Sequence, residues 1–463
     1  MIVGAGLLLA LSSLARAADD FRLNSAGLAA VSAFQADVPA VAPPAEVRPP
    51  SARPSAKKWT VMVYMNGKNN VEPYAVRDMN RLESVGSSDQ VNVVVELGRM
   101  GGQGDAAGDG NWTGARRYLA AKDGDLGKIN SPVLLEIPKL DMGDWRQAAD
   151  FVRWAKAEYP AERYLLIIWD HGWGWIDPKK GAKAGWGVKS ISHDFESGNY
   201  IRTEELADVF RAAGKVDVYA SMACFMQMAE VAWEIKDYAD VIVGSEEVIQ
   251  LPAFNFEDFL SALEGSPDAG AEQAGSFLVD TFRELYSRPD IAGGLAQAKY
   301  GVQLSAIRSR ELPALASKLD QWTGLVMAAN DRKAVAAAKA GVLRMEVGDE
   351  TTDPAKRISF YGDLYNFVQL VGENASGPGA AGIRLKGAEI MDFMAGSLVL
   401  RDAFVGKDRT GKDYSNAHGL SIQIPGEPGT LIEYENAYSG LSFARASSWG
   451  GFLGYLDSVK AAD

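Results

Sequence analysis

Two short runs constrain this chain more than any other feature. Tyr164-Leu-Leu-Ile-Ile-Trp169 and Val216-Asp-Val-Tyr-Ala-Ser-Met222 are apolar along almost their whole length. A strand that is apolar on both faces needs cover on both, and parallel sheets obtain it from crossing helices. The flanking segments agree. Asp144 is placed to N-cap a helix over Trp145–Glu158, and a second helix is expected over Thr203–Ala213, so each run follows a helix. Trp59–Met65 and Val91–Leu97 read as earlier strands, Ala239–Ser245 as a later one, and Phe225–Ile235 as a helix. This alternation specifies an α/β fold with a mostly parallel sheet flanked by helices.

In such a sheet, chemistry gathers beyond the carboxyl ends of the strands. The first run ends in Asp170-His171-Gly172-Trp173-Gly174 and the second in Ala223-Cys224. Cys224 is the single cysteine of the chain and His171 is one of three histidines. A His roughly 50 residues upstream of a nucleophilic Cys is the spacing of caspases. A free thiol is mostly protonated at neutral pH, and a neighbouring imidazole lowers its pKa or takes its proton as substrate arrives. The alternative fate of a lone cysteine is that of a small buried hydrophobe. His193, in Ser192-His193-Asp194, is the runner-up base and otherwise a structural or surface residue, while His418 precedes a C-terminal strand as a core or edge residue. His171, His193 and Cys224 match no compact zinc-ligand spacing. Trp169, Trp173, Trp175 and Trp186 surround the His, either lining a groove for peptide or packing the core.

A net charge of −13 argues against nucleic acid and anionic membranes as partners. Ile2–Leu14 is mostly apolar but too short to span a bilayer, and Ala15-Arg16-Ala17 follows with small residues at the cleavage positions. Residues 1–17 therefore read as a signal peptide, despite the lack of Lys or Arg before the apolar run; the alternative is a buried helix. The expected location is secreted or periplasmic, with no membrane insertion after signal removal. In an exported protein an unpaired cysteine points to a reactive thiol or an intermolecular bridge. Residues 18–57 form a Pro/Ala-rich linker or pro-segment, with six prolines between Ala36 and Lys57. A core is expected over 58–265 and an α-rich subdomain with returning strands over 266–463. Its helices are expected at Ala271–Ser287, Glu311–Met327 and Lys333–Met345, and its strands at Val302–Arg308 and Gly419–Ile424. Met100–Gly110 is a Gly-rich loop without the ending of a phosphate-binding loop. Pro178–Lys189 is an exposed basic loop carrying Lys179, Lys180, Lys183 and Lys189.

Several stretches resemble the clostripain family of cysteine peptidases, of the caspase-like clan. They are Trp59-Thr-Val-Met-Val-Tyr-Met-Asn-Gly-Lys-Asn-Asn-Val-Glu72, Tyr164 to Trp175, Ile191-Ser-His-Asp194 with Ile201 and Glu205-Leu206, and Ala223-Cys-Phe-Met-Gln-Met-Ala-Glu-Val-Ala-Trp-Glu-Ile235, with echoes at Tyr361-Gly-Asp-Leu364 and Gly419-Leu-Ser-Ile422. The resemblance implies a caspase-like fold and cysteine endopeptidase activity on peptide or protein substrates. It implies His171 and Cys224 as the catalytic dyad and the backbone N–H groups of Gly172 and Cys224 as oxyanion donors. It also implies maturation by cleavage between the two, for which Lys179, Lys180, Lys183 and Lys189 offer a loop. No cofactor is required by this chemistry, and calcium enters through some members of the family only. One position departs from the pattern. The family places an Asp two residues before the nucleophile to anchor a basic substrate side chain, and here that residue is Met222. A first-pocket preference for uncharged side chains is therefore expected, unless Glu246 or Glu247 supplies the missing charge; Trp173 is a further pocket residue. The competing class is a non-catalytic peptide-binding or surface-interaction module on a peptidase fold. The oligomeric state is not legible.

Overall fold

The computed structural model describes residues 56–101, 109–176, 190–347, 358–407, 413–426 and 435–460. The expected signal peptide, nearly all of the pro-segment, Trp186 and the four lysines of the basic loop lie outside the described residues. The strands in chain order are β1 (Lys57–Gly67), β2 (Val91–Arg99), β3 (Gly114–Leu119), β4 (Val133–Ile137), β5 (Ala161–Trp169), β6 (Ile191–Asp194), β7 (Asn199–Ile201), β8 (Val216–Met222), β9 (Ala239–Gly244), β10 (Gly301–Arg308), β11 (Arg344–Val347), β12 (Ile358–Asp363), β13 (Val399–Gly406) and β14 (Ser421–Gln423). The helices that bear on the site are α1 (Glu72–Glu83), α2 (Trp145–Glu158), α3 (Thr203–Ala213), α4 (Ala229–Ile235), α5 (Phe256–Gly265) and α6 (Ala271–Tyr286).

Nine strands form one sheet in the order β13-β10-β9-β8-β5-β1-β2-β3-β4. The central five, β9-β8-β5-β1-β2, pair in parallel, and antiparallel strands extend the sheet on both flanks. Alternation within the apolar runs divides the core in two. Leu165, Ile167 and Trp169 of β5 pack with Val218, Ala220 and Met222 of β8 beneath α1, α5 and α6. Leu166 and Ile168 face the other way with Tyr219, beneath α2, α3 and α4. Helix α2 is capped by Asp144, whose side chain accepts from the Arg146 N–H. The strand order reverses between β1 and β5, so the clefts beyond their carboxyl ends form the topological switch point, where open α/β sheets bind ligands.

Residues beyond 265 are helix-rich and also return strands to this sheet, with β10 antiparallel to β9 and β13 at the edge. Strands β11, β12 and β14 form a separate small sheet. Lys57–Asp463 clusters as a single compact unit. Among the described residues no helix is long and apolar enough to cross a membrane.

Two expectations are corrected, and two strands were not anticipated. The helix expected from Phe225 begins only at Ala229, because the Phe225 and Gln227 N–H groups donate outward to Glu247 O (3.2 Å) and Ser245 O (3.0 Å). Phe225 accordingly takes a left-handed φ of 60°. The helix expected over Lys333–Met345 stops at Gly341, and β11 starts at Arg344, where the chain is drawn into pairing with β12. Strands β3 and β4 went unread, since β4 is an edge strand whose Val133, Leu134 and Leu135 are all exposed and show no alternation.

Candidate active site

The last register pair between β5 and β8 is Trp169 with Met222. The Asp170 N–H donates to Met222 O at 3.3 Å and carries the pairing one residue further. His171 and Cys224 thus follow the ends of two adjacent parallel strands, each two residues past that last pair. Gly172 closes the junction. A Cβ built there would lie 2.5 Å from Cys224 O, 2.8 Å from the Ala223 Cβ and 3.0 Å from the Met226 Cγ. Only glycine lets the His loop approach the nucleophile's backbone so closely. Beyond it, the Trp173 N–H donates to Ser190 O at 2.9 Å, and Gly172 bridges to Ile191.

Cys224 is half-buried. Burial pushes its thiol up to about 12, and the nearby Glu247 and Asp170 carboxyls push the same way. The Ile249 N–H and its own N–H favour the thiolate but do not prevail. Cys224 therefore rests as a thiol, and its proton leaves only when a base receives it. His171, also half-buried, places Nε2 2.8 Å from Asn70 Oδ1. Among the described residues, neither the Gly172 N–H nor the Cys224 N–H donates to the backbone of another residue.

Asp170, next to the His, is buried in a cradle of amides. Asn69 Nδ2 donates to Oδ1 at 2.6 Å, Asn66 Nδ2 to Oδ2 at 3.1 Å, and the His193 N–H also to Oδ2. Burial holds this carboxyl well above the usual carboxylate range, against the pull of those donors. His193 is itself buried, its ring 6.1 Å from that of His171 and 5.8 Å from that of Tyr200. His418 is half-buried with its ring 4.0 Å from that of Tyr365, and burial lowers its pKa.

The expected pocket residues occupy different surroundings. Met222 is 4 % exposed and packs in the core cluster on the α1 face of the sheet, with Trp169. Trp169 Nε1 donates to Asp78 Oδ2 at 2.8 Å, and Asp78 pairs with Arg81 at 3.0 Å. Glu246 is fully buried. Its Oε1 accepts from the Gly419 N–H at 2.8 Å, and burial, reinforced by the Asp363 and Asp402 carboxyls, raises its pKa well above the usual range. Glu247 is buried too, accepting from the Val248 N–H at 2.7 Å and the Tyr414 hydroxyl at 2.9 Å. Trp173 is half-buried, stacks on Phe225 at 6.5 Å, and its carbonyl accepts from the Tyr361 hydroxyl at 2.6 Å. Trp175 lies in the core, donating to Gln423 Oε1 at 3.1 Å.

Among the described residues no group of three or more His, Cys, Asp or Glu is arranged to hold a metal ion. The Asp194 carboxylate is taken up by Lys68 at 2.8 Å, and that of Asp141 by Ser197 and Asn199.

Sequence reasoning missed Asn70, Asp170 and the contacts made by Tyr361 and Tyr414. The only local signal was the asparagine-rich turn after β1, which reads as turn chemistry.

Comparison with known proteins places these features in context. A family profile described as the clostripain family matches residues 63–456. Clostripain of Hathewaya histolytica is 25 % identical over 226 residues, a stretch that is 45 % of this chain and 42 % of that protein, so the chain spans less than half the length of this relative. A secreted C11 cysteine protease of Bacteroides thetaiotaomicron, solved with an irreversible peptide inhibitor, superposes with a TM-score of 0.59 at 20 % identity, over 85 % of this chain and 99 % of that one. An inactive zymogen C11 protease of Parabacteroides distasonis superposes with a TM-score of 0.59 at 18 % identity, over 85 % and 99 %. These likenesses establish a shared fold.

Proposed function

Because the chain belongs to the clostripain family, we propose that it is an exported cysteine endopeptidase that cleaves peptide bonds through Cys224 and His171. What supports this reading is that the two strands preceding His171 and Cys224 pair side by side up to Trp169 and Met222, and that Gly172 packs against Cys224 O.

The high thiol pKa defines the order of events. Substrate enters beside a protonated Cys224. As Sγ approaches the scissile carbonyl, its proton passes to the His171 imidazole and the Sγ–C bond forms, moving the carbonyl π pair onto oxygen. The Gly172 and Cys224 amides receive that oxyanion. On collapse the C–N bond breaks and the imidazolium protonates the leaving amine. Water, deprotonated by the same imidazole, then attacks the acyl carbon; the Sγ–C bond breaks, the acid product leaves, and the imidazolium returns its proton to Sγ. An amine in place of water gives transpeptidation by the same steps.

The first pocket takes uncharged, apolar side chains over Arg and Lys. Support comes from residue 222 being a methionine, which brings no charge and whose side chain packs with Trp169 in the core, and from Glu246, whose buried carboxyl accepts from the Gly419 N–H. Maturation, where it occurs, cuts the 178–189 segment, whose lysines and glycines suit nicking, and without an acid at position 222 an external protease makes that cut.

A peptide-library cleavage profile of wild type against Cys224→Ala tests the reading. Cys224→Ala, His171→Ala and the double variant should all be inactive to a similar degree, because groups acting as one unit are not additive. Undiminished cleavage by Cys224→Ala refutes it.

A further inference from the structure

We infer that Asn70 is a positioning residue of this site, holding the His171 imidazole in the tautomer protonated at Nε2 so that Nδ1 is the nitrogen that exchanges protons with Cys224. The inference rests on the peptidase reading above.

The contact is direct, with His171 Nε2 2.8 Å from Asn70 Oδ1. A neutral imidazole carries one N–H, and the bond made by one nitrogen decides which of the two holds it. An amide oxygen only accepts, so Nε2 must be the donor. The lone pair is then on Nδ1, where the thiol proton has to go.

Asn70 is fixed in place by its neighbours. The loop after β1 and the loop after β5 meet through consecutive residues, Asn69 on Asp170 and Asn70 on His171. Asn69 Nδ2 also reaches His193 O at 2.9 Å, and its Oδ1 accepts from the Val71 N–H at 2.9 Å. Asn66, one position beyond the register pair of Met65 with Trp169, adds the 3.1 Å bond to Asp170. Helix α1 starts two residues after Asn70, and its first residue, Glu72, pairs with the buried Arg99. The amide is thus presented from a braced turn at the point where the sheet order reverses.

The chemistry favours a neutral partner. When Sγ–H gives its proton to Nδ1, the imidazolium has N–H groups on both nitrogens, and Asn70 Oδ1 keeps the Nε2 bond throughout. A carboxylate there would stabilise the cation more strongly and make it a weaker acid toward the leaving amine. Titratable groups among the described residues near this site include His193 on β6, Asp170 just past β5, and Cys224, on whose thiol Glu247 also acts.

The test has two independent readouts. With only three histidines in the chain, nitrogen-15 NMR of histidine-labelled protein resolves each ring, and His171→Gln assigns the one in question. Wild type should show the Nε2–H tautomer for His171, and Asn70→Ala should lose that preference. In steady-state kinetics, Asn70→Ala should lower kcat about 10- to 100-fold with little change in KM, the scale of a misplaced catalytic group. Asn70→Asp should recover only part of kcat, because its imidazolium is a weaker acid, and should move the acid limb of the kcat/KM profile to higher pH by about one unit. An Nδ1–H tautomer in wild type, a wild-type kcat in Asn70→Ala, or an unshifted acid limb in Asn70→Asp overturns the inference. Absence of cleavage by wild type, or cleavage that survives Cys224→Ala, sinks the peptidase reading instead, and the tautomer spectrum then still decides the role of Asn70.

Discussion

Replacing Gly172 by alanine measures how tightly the two strand ends must meet. The added methyl would stand 2.5 Å from Cys224 O and 2.8 Å from the Ala223 Cβ, so neither obstacle is the far end of a flexible side chain. Ordinary contact begins near 3.4 Å, so the His loop and the nucleophile loop would have to part by about 0.9 Å. Gly172 is not among the glycines with a positive φ, so the burden is steric and not one of backbone conformation. Overfilling a packed site costs roughly 1–3 kcal/mol. A displacement approaching 1 Å between reacting groups costs about 100-fold in rate. Gly172→Ala should therefore lower kcat/KM about 100-fold on a fixed peptide and reduce the urea midpoint at unchanged m-value. Gly454→Ala, where a Cβ meets nothing within 4 Å, is the control and should leave kcat/KM intact. A Gly172→Ala enzyme with kcat/KM and midpoint both at wild-type level would show that the approach of the two loops does not limit the chemistry.

Met222→Asp should shift first-pocket preference from apolar residues toward Arg, at some cost in stability because position 222 is 4 % exposed; kinetics on matched substrates with Arg, Lys, Leu and Phe decide, and a strong Arg preference in wild type contradicts the assignment. Burial raises Glu230, which accepts from the Gln423 N–H and the Tyr438 hydroxyl, to about 7. Since an unfolded Glu titrates near 4.3, the stability tied to its protonated form is complete below about pH 4 and lost as pH rises through 7. Glu230→Gln should therefore flatten the fall in unfolding free energy between pH 5 and pH 8 by roughly 2 kcal/mol, and curves parallel to wild type would contradict this. Peptide cleavage should persist in excess EDTA, because the proposed steps use only a thiol, an imidazole and two amides; loss of activity restored by calcium would overturn that.

How much of this was legible depended on whether the cause was local. Helix α3 and strand β8 have the bounds read from sequence, Thr203–Ala213 and Val216–Met222, because an apolar period and a Gly214 stop lie within the segments themselves. His171 and Cys224 were legible because apolar runs end at them. Helix α1 was not, because its buried face carries Glu72, Asp78 and Arg81, whose partners Arg99, Trp169 and Glu257 are distant in sequence. Asn70 read as turn chemistry, since what makes it matter is a histidine 101 positions away. Phe225–Met228 read as helix because the acceptors on Ser245 and Glu247 that extend it come from another loop.

The bonds from the late part of the chain have a consequence for how the protein is made. Ser421 N–H donates to Gln227 O, Tyr361 to Trp173 O, and Gly419 N–H to Glu246, so both loops of the site are braced by residues synthesised long after them. A chain emerging from the ribosome can form β1 to β9 early, yet the loops that carry Cys224 and His171 lack those braces until residues beyond 360 have appeared. Cys224 is thus left without its final setting during synthesis, when unfolded polypeptide, including the rest of its own chain, is nearest to it.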